Sequence, residues 1–418
     1  MANFNEINWD VVIIGGGAAG FFAALRIKEL DSNKQVLLVE KTQKVLSKVR
    51  ISGGGRCNVT HHCLQNSVLL NHYPRGKKII KQAVNKFSVS NTIEWFQQHG
   101  VALKVEDDGR MFPLSNSSET IAGLFENLAQ QYGISVFRGC QVNSIVKVNT
   151  SALWEIQTSM GSIVSNYAVI ATGGNLSWSH YSWINPLAVS LVSPYPSLFT
   201  FKIDQKKLQS LAGVSVSNGI VKLVGFDKTF QGPILITHWG LSGPAVLKSS
   251  AWGAAWIFEK NYQFQILVSW VAEEENKFRQ SLNETIDSHY KRKLANLPLE
   301  IPSRLWLFIL EEANLSSEIV AGNLSKQQKN KLVETITKMP FTVHGKTTFK
   351  EEFVTAGGIS EKSIHPNTME LIQAKGIYAC GEVLDVDGIT GGFNFQSAWS
   401  TANLVAHSIT YSPFSENL

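Results

Sequence analysis

The run DVVIIGGGAAGFFAALRIKEL, Asp10 to Leu30, followed closely by VLLVEK, constrains this chain more than any other feature. A buried apolar strand leads into Gly15, Gly17 and Gly20, spaced G-x-G-x-x-G, and a helix follows at once. Each glycine has a physical job: a tight turn, close approach of backbone to a diphosphate, and close packing of helix on strand. The helix start then offers free N–H groups and the positive end of its dipole to phosphate. Glu40 ends the next strand, 20 residues beyond Gly20, where a carboxylate can accept both hydroxyls of an adenosine ribose. An acid there disfavours a 2′-phosphate. Strand, glycines, helix, strand and acid in register point to a bound dinucleotide.

Composition narrows the class. At about 150 residues per domain, 418 residues suggest two or three domains. A 44% hydrophobic content is enough for real cores, and 17% charge is too low for a disordered chain. Lysine plus arginine is 38 against 33 acids, a net charge of +5. That falls short of the clustered excess of a dedicated nucleic-acid binder. The four cysteines, Cys57, Cys63, Cys140 and Cys380, are too scattered for a disulfide scaffold or an all-cysteine zinc site. A reducing, cytoplasmic setting fits them. MANFNEINWD carries no basic n-region, and the apolar run Val11 to Leu25 is glycine-broken and shorter than the ~20 residues of a membrane span. Neither a secretory signal nor a membrane span is expected.

Glycines cluster at 15–20, 53–55, 173–174, 357–358 and 381–392, near both ends of the chain. This predicts one glycine-marked domain built from both ends, with a second region inserted. The first part alternates strands and helices, with helices over Lys77 to Phe87, Asn91 to His99 (capped by Ser90) and Ser118 to Tyr132. Val142 to Val148, Leu153 to Thr158 and Ser162 to Ser165 alternate like antiparallel strands, and Tyr167 to Ala171 reads as a separate short strand. Residues 196–271 have β-type patterns, and 273–338 turn helical and charged.

Three further motifs bear on chemistry. In ISGGGRCNVT, the backbone of Ser52, Gly53 and Gly54 can wrap a ligand that Arg56 or Asn58 hydrogen-bonds. Cys57 is a tempting thiol but has no C-x-x-C partner. His61, His62 and Cys63 are adjacent, so they cannot readily converge on one ion; no metal is expected. Ala171, Thr172 and Gly173 form a strand tip suited to a second backbone pass close to a cofactor. In GEVLDVDGITGGFNFQ, Gly381 and Glu382 sit at a strand tip, and Gly391-Gly392 opens a helix over Phe395 to His407. That acid can hold ribityl hydroxyls. The helix start would face a group that becomes negative, such as a reduced flavin.

Taken together, GGGAAG, SGGGRCN, ATGG, VTAGGI and GEVLDVDG-x-TGG-F-N-x-Q resemble a family of bacterial FAD-dependent flavoproteins named after a bile-acid dehydro-reductase and an aminoacetone oxidase. That family is similar to glutathione reductase and fumarate reductase in the two-dinucleotide-binding-domain superfamily. The resemblance runs nearly end to end, through EDDGRMFPLSNSS and THWGLSGPAVLKSS; Phe393 and Phe395 depart from the more usual Tyr and Leu. It implies an α/β fold. A split Rossmann-like FAD-binding domain would cover 1–195 and 346–418. An inserted β-barrel substrate domain would cover 196–272 and 339–345, and a small helical subdomain 273–338. Gly15, Gly17, Ala18, Ala19 and Gly20 would line the diphosphate, with Glu40, Lys41 and the Val142 backbone at the adenosine. Thr172 and Gly173 would pass behind the ribose, Arg56, Cys57 and Asn58 would lie near the flavin, Glu382 would hold the ribityl chain, and Gly392, Phe393 and Asn394 would meet the ring.

The expected activity is an FAD-dependent oxidoreductase that moves hydride to or from a small organic molecule, with NAD(P)H as a transient donor. A single G-x-G-x-x-G leaves no dedicated nicotinamide domain in view, so an oxygen-using amine oxidase stays open. His238 in THWGLSG is the best available acid–base candidate, and a structural histidine reads as well. A different class, an FAD-dependent tRNA-modifying enzyme, would use Lys44, Lys48, Arg50, Arg75, Lys77, Lys78, Lys81 and Lys291 to Lys293 on phosphates. The small net charge argues against it, so no nucleic-acid partner is expected.

Overall fold

The computed structural model describes residues 9–148, 152–347 and 354–411. The chain forms two compact units, residues 1–197 with 350–418 and residues 198–349.

The first unit is organised by a sheet whose central strand, β1 (Trp9–Ile14), is buried except at Asp10. Continuous burial of Val11 to Ile14 is what a parallel strand covered on both faces requires. Helix α1 (Ala18–Leu30) returns the chain to β2 (Val36–Glu40), parallel to β1. Helix α2 (Ser47–Gly55) follows. Beyond β2 lies β3 (Ser135–Arg138), also parallel. On the other side of β1 runs β6 (Gly161–Ile170), and β7 (Ala374–Ala379) pairs parallel beyond it. A strand from the last part of the sequence thus completes a sheet begun by the first.

A meander of β4 (Val142–Lys147) and β5 (Trp154–Thr158) leads into β6. The two strands expected from Ser162 to Ala171 are one. Its first half pairs antiparallel with β5, and from Ser165 onward it pairs parallel with β1. Asn166 alone is no breaker, so nothing interrupts the extended backbone. The helix expected over Asn91 to His99 runs Val89–Gln98, and its cap is Ser88 rather than Ser90. Ser88 Oγ accepts from Asn91 N, and Asn91 Oδ1 accepts from Ser88 N at 3.0 Å, a reciprocal box.

The long helix α3 (Phe393–Thr410) packs beside α1. The rings of Phe22 and Trp399 lie 5.3 Å apart, and Arg26 Nε donates to Asn403 Oδ1 at 2.9 Å. Both helices begin at a glycine, Gly17 and Gly392, without a side-chain cap. Their first N–H groups are therefore left for a ligand.

The second unit holds a seven-stranded antiparallel sheet in the order Met339–Val343, Phe264–Ser269, Ser215–Leu223, Thr229–Thr237, Gly240–Ser242, Thr200–Lys202, Gly345–Thr347. Phe201, Phe264, Ile266 and Val268 are in its core. Helix Pro244–Trp252 interrupts the β-type pattern, and Gly243 before Pro244 is its start signal. Helices Glu275–Ser288, Ser303–Glu312 and Lys326–Thr337 belong to the same unit.

Candidate functional site

The β1–α1 turn is built by two glycines that cannot be replaced and one that faces open space. A Cβ on Gly20 would overlap the Gly15 carbonyl oxygen, and one on Gly15 would strike the Ala171 carbonyl. A Cβ on Gly17 would meet nothing within 4 Å. The two strand tips thus close tightly on each other while the start of α1 stays open. Glu40 is already oriented toward this turn. Its Oε2 accepts from Gly16 N at 2.8 Å, and its Oε1 accepts from Thr42 N and Thr42 Oγ1, each at 2.9 Å.

A cavity of about 340 Å³ opens beside the turn. Gly15, Glu40, Lys41, Val142 and Thr172, all singled out from the sequence, line it together. Cys140, Gln141 and Asn143 join them, as do Ser179, His180, Ser182 and Trp183. No sequence signal marked these last four. The Thr172 hydroxyl and His180 Nε2 are buried there without a hydrogen-bond partner. Buried polar atoms are rarely left so, and a polar ligand in the cavity would satisfy them. Open glycine backbone, an oriented carboxylate and unsatisfied polar atoms fit the adenosine diphosphate half of a dinucleotide.

A second set of motif residues gathers around Gly392. Cys57 and Gly53 to Gly55 have positive φ, and the chain folds sharply at the end of α2. With its amide oxygen facing Gly392 N at 3.0 Å, Asn58 donates to the Thr60 and Met111 carbonyls. Asn394 clasps Gly388, accepting from its N at 2.8 Å and donating to its O at 3.0 Å. The Phe393 ring is buried in stacks with His61 at 4.8 Å and His72 at 4.3 Å. These side chains hold the loop, so backbone is what the Gly391 to Asn394 segment can offer a ligand. Arg56 is turned to Glu106 at 2.6 Å and lies over the Phe112 ring. Glu382 accepts from Lys48 Nζ at 2.6 Å and Thr355 N at 2.9 Å. Its strand tip joins the rest through Gly381, where a Cβ would crowd Ala19. His238 lies in the other unit on an exposed turn after Thr229–Thr237, where no hydrogen bond among the described residues orients it.

Cys57 is fully buried, and burial pushes its thiol up to about 12, so it carries no thiolate at neutral pH. Cys140 and Cys380 are also buried. Native protein treated with iodoacetamide should therefore be alkylated at Cys63 alone, and at all four positions only after denaturation. Peptide mass spectrometry checks this; native labelling of Cys57 would overturn its burial. Among the described residues, no group of three or more His, Cys, Asp or Glu is placed to hold a metal, and no helix is long and apolar enough to cross a membrane.

The model of the HI0933-like protein Rossmann domain matches residues 9–408. The chain belongs to that family. It is accordingly a Rossmann-like FAD-binding α/β protein and an FAD-dependent oxidoreductase. It is 29% identical to the ribosomal RNA dihydrouridine synthase of Haemophilus influenzae, across 96% of this chain and 98% of that protein. It is 26% identical to the 3-dehydro-bile acid delta(4,6)-reductase of Clostridium scindens, across 96% and 99%. In fold it is similar to the 3-ketosteroid delta1-dehydrogenase of Sterolibacterium denitrificans, with a TM-score of 0.52 and 11% identity over 97% of this chain and 100% of that one.

Proposed function

We propose that this chain is a reductase that saturates a carbon–carbon double bond conjugated to a carbonyl, with NAD(P)H as donor. The observation that carries the cofactor half is the cavity beside the Gly15–Gly20 turn, where Glu40, Lys41, Val142 and Thr172 converge. Gly17, Ala18 and Ala19 would present backbone to the diphosphate, and Glu40 would hold the ribose. The Ser52 to Asn58 fold, Ala171 to Gly173, Gly381-Glu382 and the backbone of Gly391 to Asn394 would follow the cofactor toward its ring. When bound, FAD supplies hydride transfer between donor and acceptor. The uncapped start of α3 would place its positive end where negative charge gathers on reduction.

The acceptor half draws on the names of two full-length relatives. Dihydrouridine is uridine saturated across a double bond conjugated to its C4 carbonyl, and a delta(4,6)-reductase acting on a 3-dehydro compound saturates a conjugated enone. One chemistry covers both. A uracil within folded RNA is the first substrate class, because the RNA-directed relative has the higher identity. This revises the sequence-based expectation of no nucleic-acid partner. Lys44, Lys78 and Lys81 are exposed and could meet phosphates, whereas Arg50 is held by Glu119 and Glu126, and Arg75 by Asp387. A free enone is the second class, supported by the reductase relative. We also read the inserted sheet as a barrel: its two end strands, Met339–Val343 and Gly345–Thr347, are joined by His344 alone.

The test is anaerobic bleaching of the yellow protein by NADH or NADPH, followed by addition of ribosomal RNA or a delta-4 3-keto steroid. Recovery of colour with a product two hydrogens heavier identifies the acceptor. For RNA, binding should fall steeply with salt. Bleaching by an amine alone, with peroxide formed in air, would replace this reading with the oxidase one. Protein that binds no FAD would sink both.

A further inference from the structure

The wall of the cavity that no sequence motif marked comes from a 3₁₀ segment, Trp178–Leu187. Such a helix has three residues per turn, so positions three apart share a face. Tyr181, Ile184 and Leu187 are spaced in this way, and all three are buried. They root the segment in the first unit. The Tyr181 hydroxyl also meets Asn175 N and Asn175 O, each at 3.2 Å, which ties the segment to the end of the Ala171 to Gly174 tip. The other face carries Ser179, His180, Ser182 and Trp183, the four residues that line the cavity opposite Gly15, Glu40 and Val142.

That arrangement goes beyond packing. A segment seated by three buried anchors brings an indole and an imidazole to one cavity, while Ser179 Oγ pairs with Ser177 Oγ at 2.7 Å and Ser182 Oγ donates to Ser179 O at 2.9 Å. Burial, with Lys41 and Lys48 nearby, pushes the His180 imidazole down to about 4, while Glu40 pulls the other way; the ring is neutral at pH 7. Its buried Nε2 lacks a partner, as does the Thr172 hydroxyl across the same cavity. A neutral ring nitrogen and a hydroxyl can each donate or accept toward ribose and phosphate oxygens without an added charge. A part-exposed indole beside the Val142 strand offers a flat apolar face to a base.

We propose that Trp178–Leu187 is a built-in wall of the adenosine diphosphate subsite, in which Trp183 stacks on the adenine and His180 hydrogen-bonds the ribose–diphosphate portion. The inference rests on the FAD reading above and deepens it by adding residues outside every glycine motif.

The experiment measures binding rather than turnover, with FAD and with ADP alone as probes, on wild-type apoprotein and on W183A, W183F and H180A. Stacking on an aromatic ring supports affinity losses of about 5- to 100-fold in W183A for both probes. W183F should stay within about threefold of wild type. H180A should lose roughly 2- to 13-fold, the range of one neutral hydrogen bond. In wild type, ADP should slow amide exchange across residues 178–187. If wild type binds FAD while W183A and H180A bind both probes equally well, the wall is wrong and the FAD site stands. The wall is equally wrong if ADP binds without protecting the segment, a result that does not depend on any variant folding. Wild type that binds neither probe would remove both readings.

Discussion

Gly20→Ala should yield no soluble folded protein, while Gly17→Ala should fold normally and fail to retain FAD. The two positions lie three residues apart in one motif, yet they meet different neighbours. A methyl on Gly20 would overlap the carbonyl oxygen of Gly15, a backbone atom that cannot rotate away. Gly15 in turn is packed against Ala171 and Thr172 and donates to Val39 O at 2.8 Å. Relief would need α1 to lift off β1, and α1 carries Phe21, Phe22, Ala23, Leu25 and Ile27 into the core. Overpacking typically costs about 1–3 kcal/mol, and more where only backbone could yield, as at the Gly15 carbonyl, against a typical total stability of about 5–15 kcal/mol. Gly17 is different. Its φ of −92° and ψ of −170° suit alanine, and its Cβ would enter open space. That space is where a diphosphate would approach the first N–H groups of α1. We expect the apoprotein of G17A to melt within about 2 °C of wild type and its FAD dissociation constant to rise at least tenfold, about 1.4 kcal/mol. Melting curves of both apoproteins, with FAD titrations, decide it. Tight FAD binding by G17A would mean that the diphosphate does not pass this turn.

Those glycines were readable because one local stretch carries the whole signature of the turn (apolar strand, spacing, helix and Glu40), even though Gly15 also packs on Ala171 far along the chain. Other features depend on partners far along the chain. Phe393 and Asn394 sit in a cofactor-type motif, but His61, His72 and Gly388 claim their side chains. Arg56 likewise answers to Glu106, 50 residues away. The Ser88 cap could have been read: Asn91 three residues on completes the box, while Ser90 offers no such partner. The merged strand β6 reflects two different neighbours, β5 and β1, acting on one extended run. The segment Trp178–Leu187 was invisible for another reason. Its buried positions repeat every three residues, a period that matches neither a strand nor an α-helix, and Pro186 lies inside it. Four residues that line the cavity therefore lay in a stretch that offered no pattern to read.

The second large effect should come from Arg75→Met. Asp387 is fully buried, and its carboxylate receives the Arg75 guanidinium on both oxygens and the Ser197 hydroxyl at 2.6 Å. Removing the cation leaves a buried carboxylate with one neutral donor, which costs about 3–5 kcal/mol. The loss should also reach the cofactor. Residues 73–76 clamp the loop that ends at Gly392: Tyr73 Oη donates to Phe393 O at 2.7 Å, and Gly76 packs so closely on Val386 that no side chain fits. R75M frees the middle of this clamp, so FAD should dissociate faster as well as the protein melting several degrees lower. R75M/D387L separates the two effects. An apolar pair in place of a buried ion pair is often neutral, so most of the melting temperature should return. The faster loss of FAD should persist in part, because Met and Leu do not restore the fixed contact between the Arg75 segment and the loop. A double variant as unstable as R75M alone would show that the unpaired charge is not the cause. An R75M protein as stable as wild type would show that Asp387 is not buried as the fold places it.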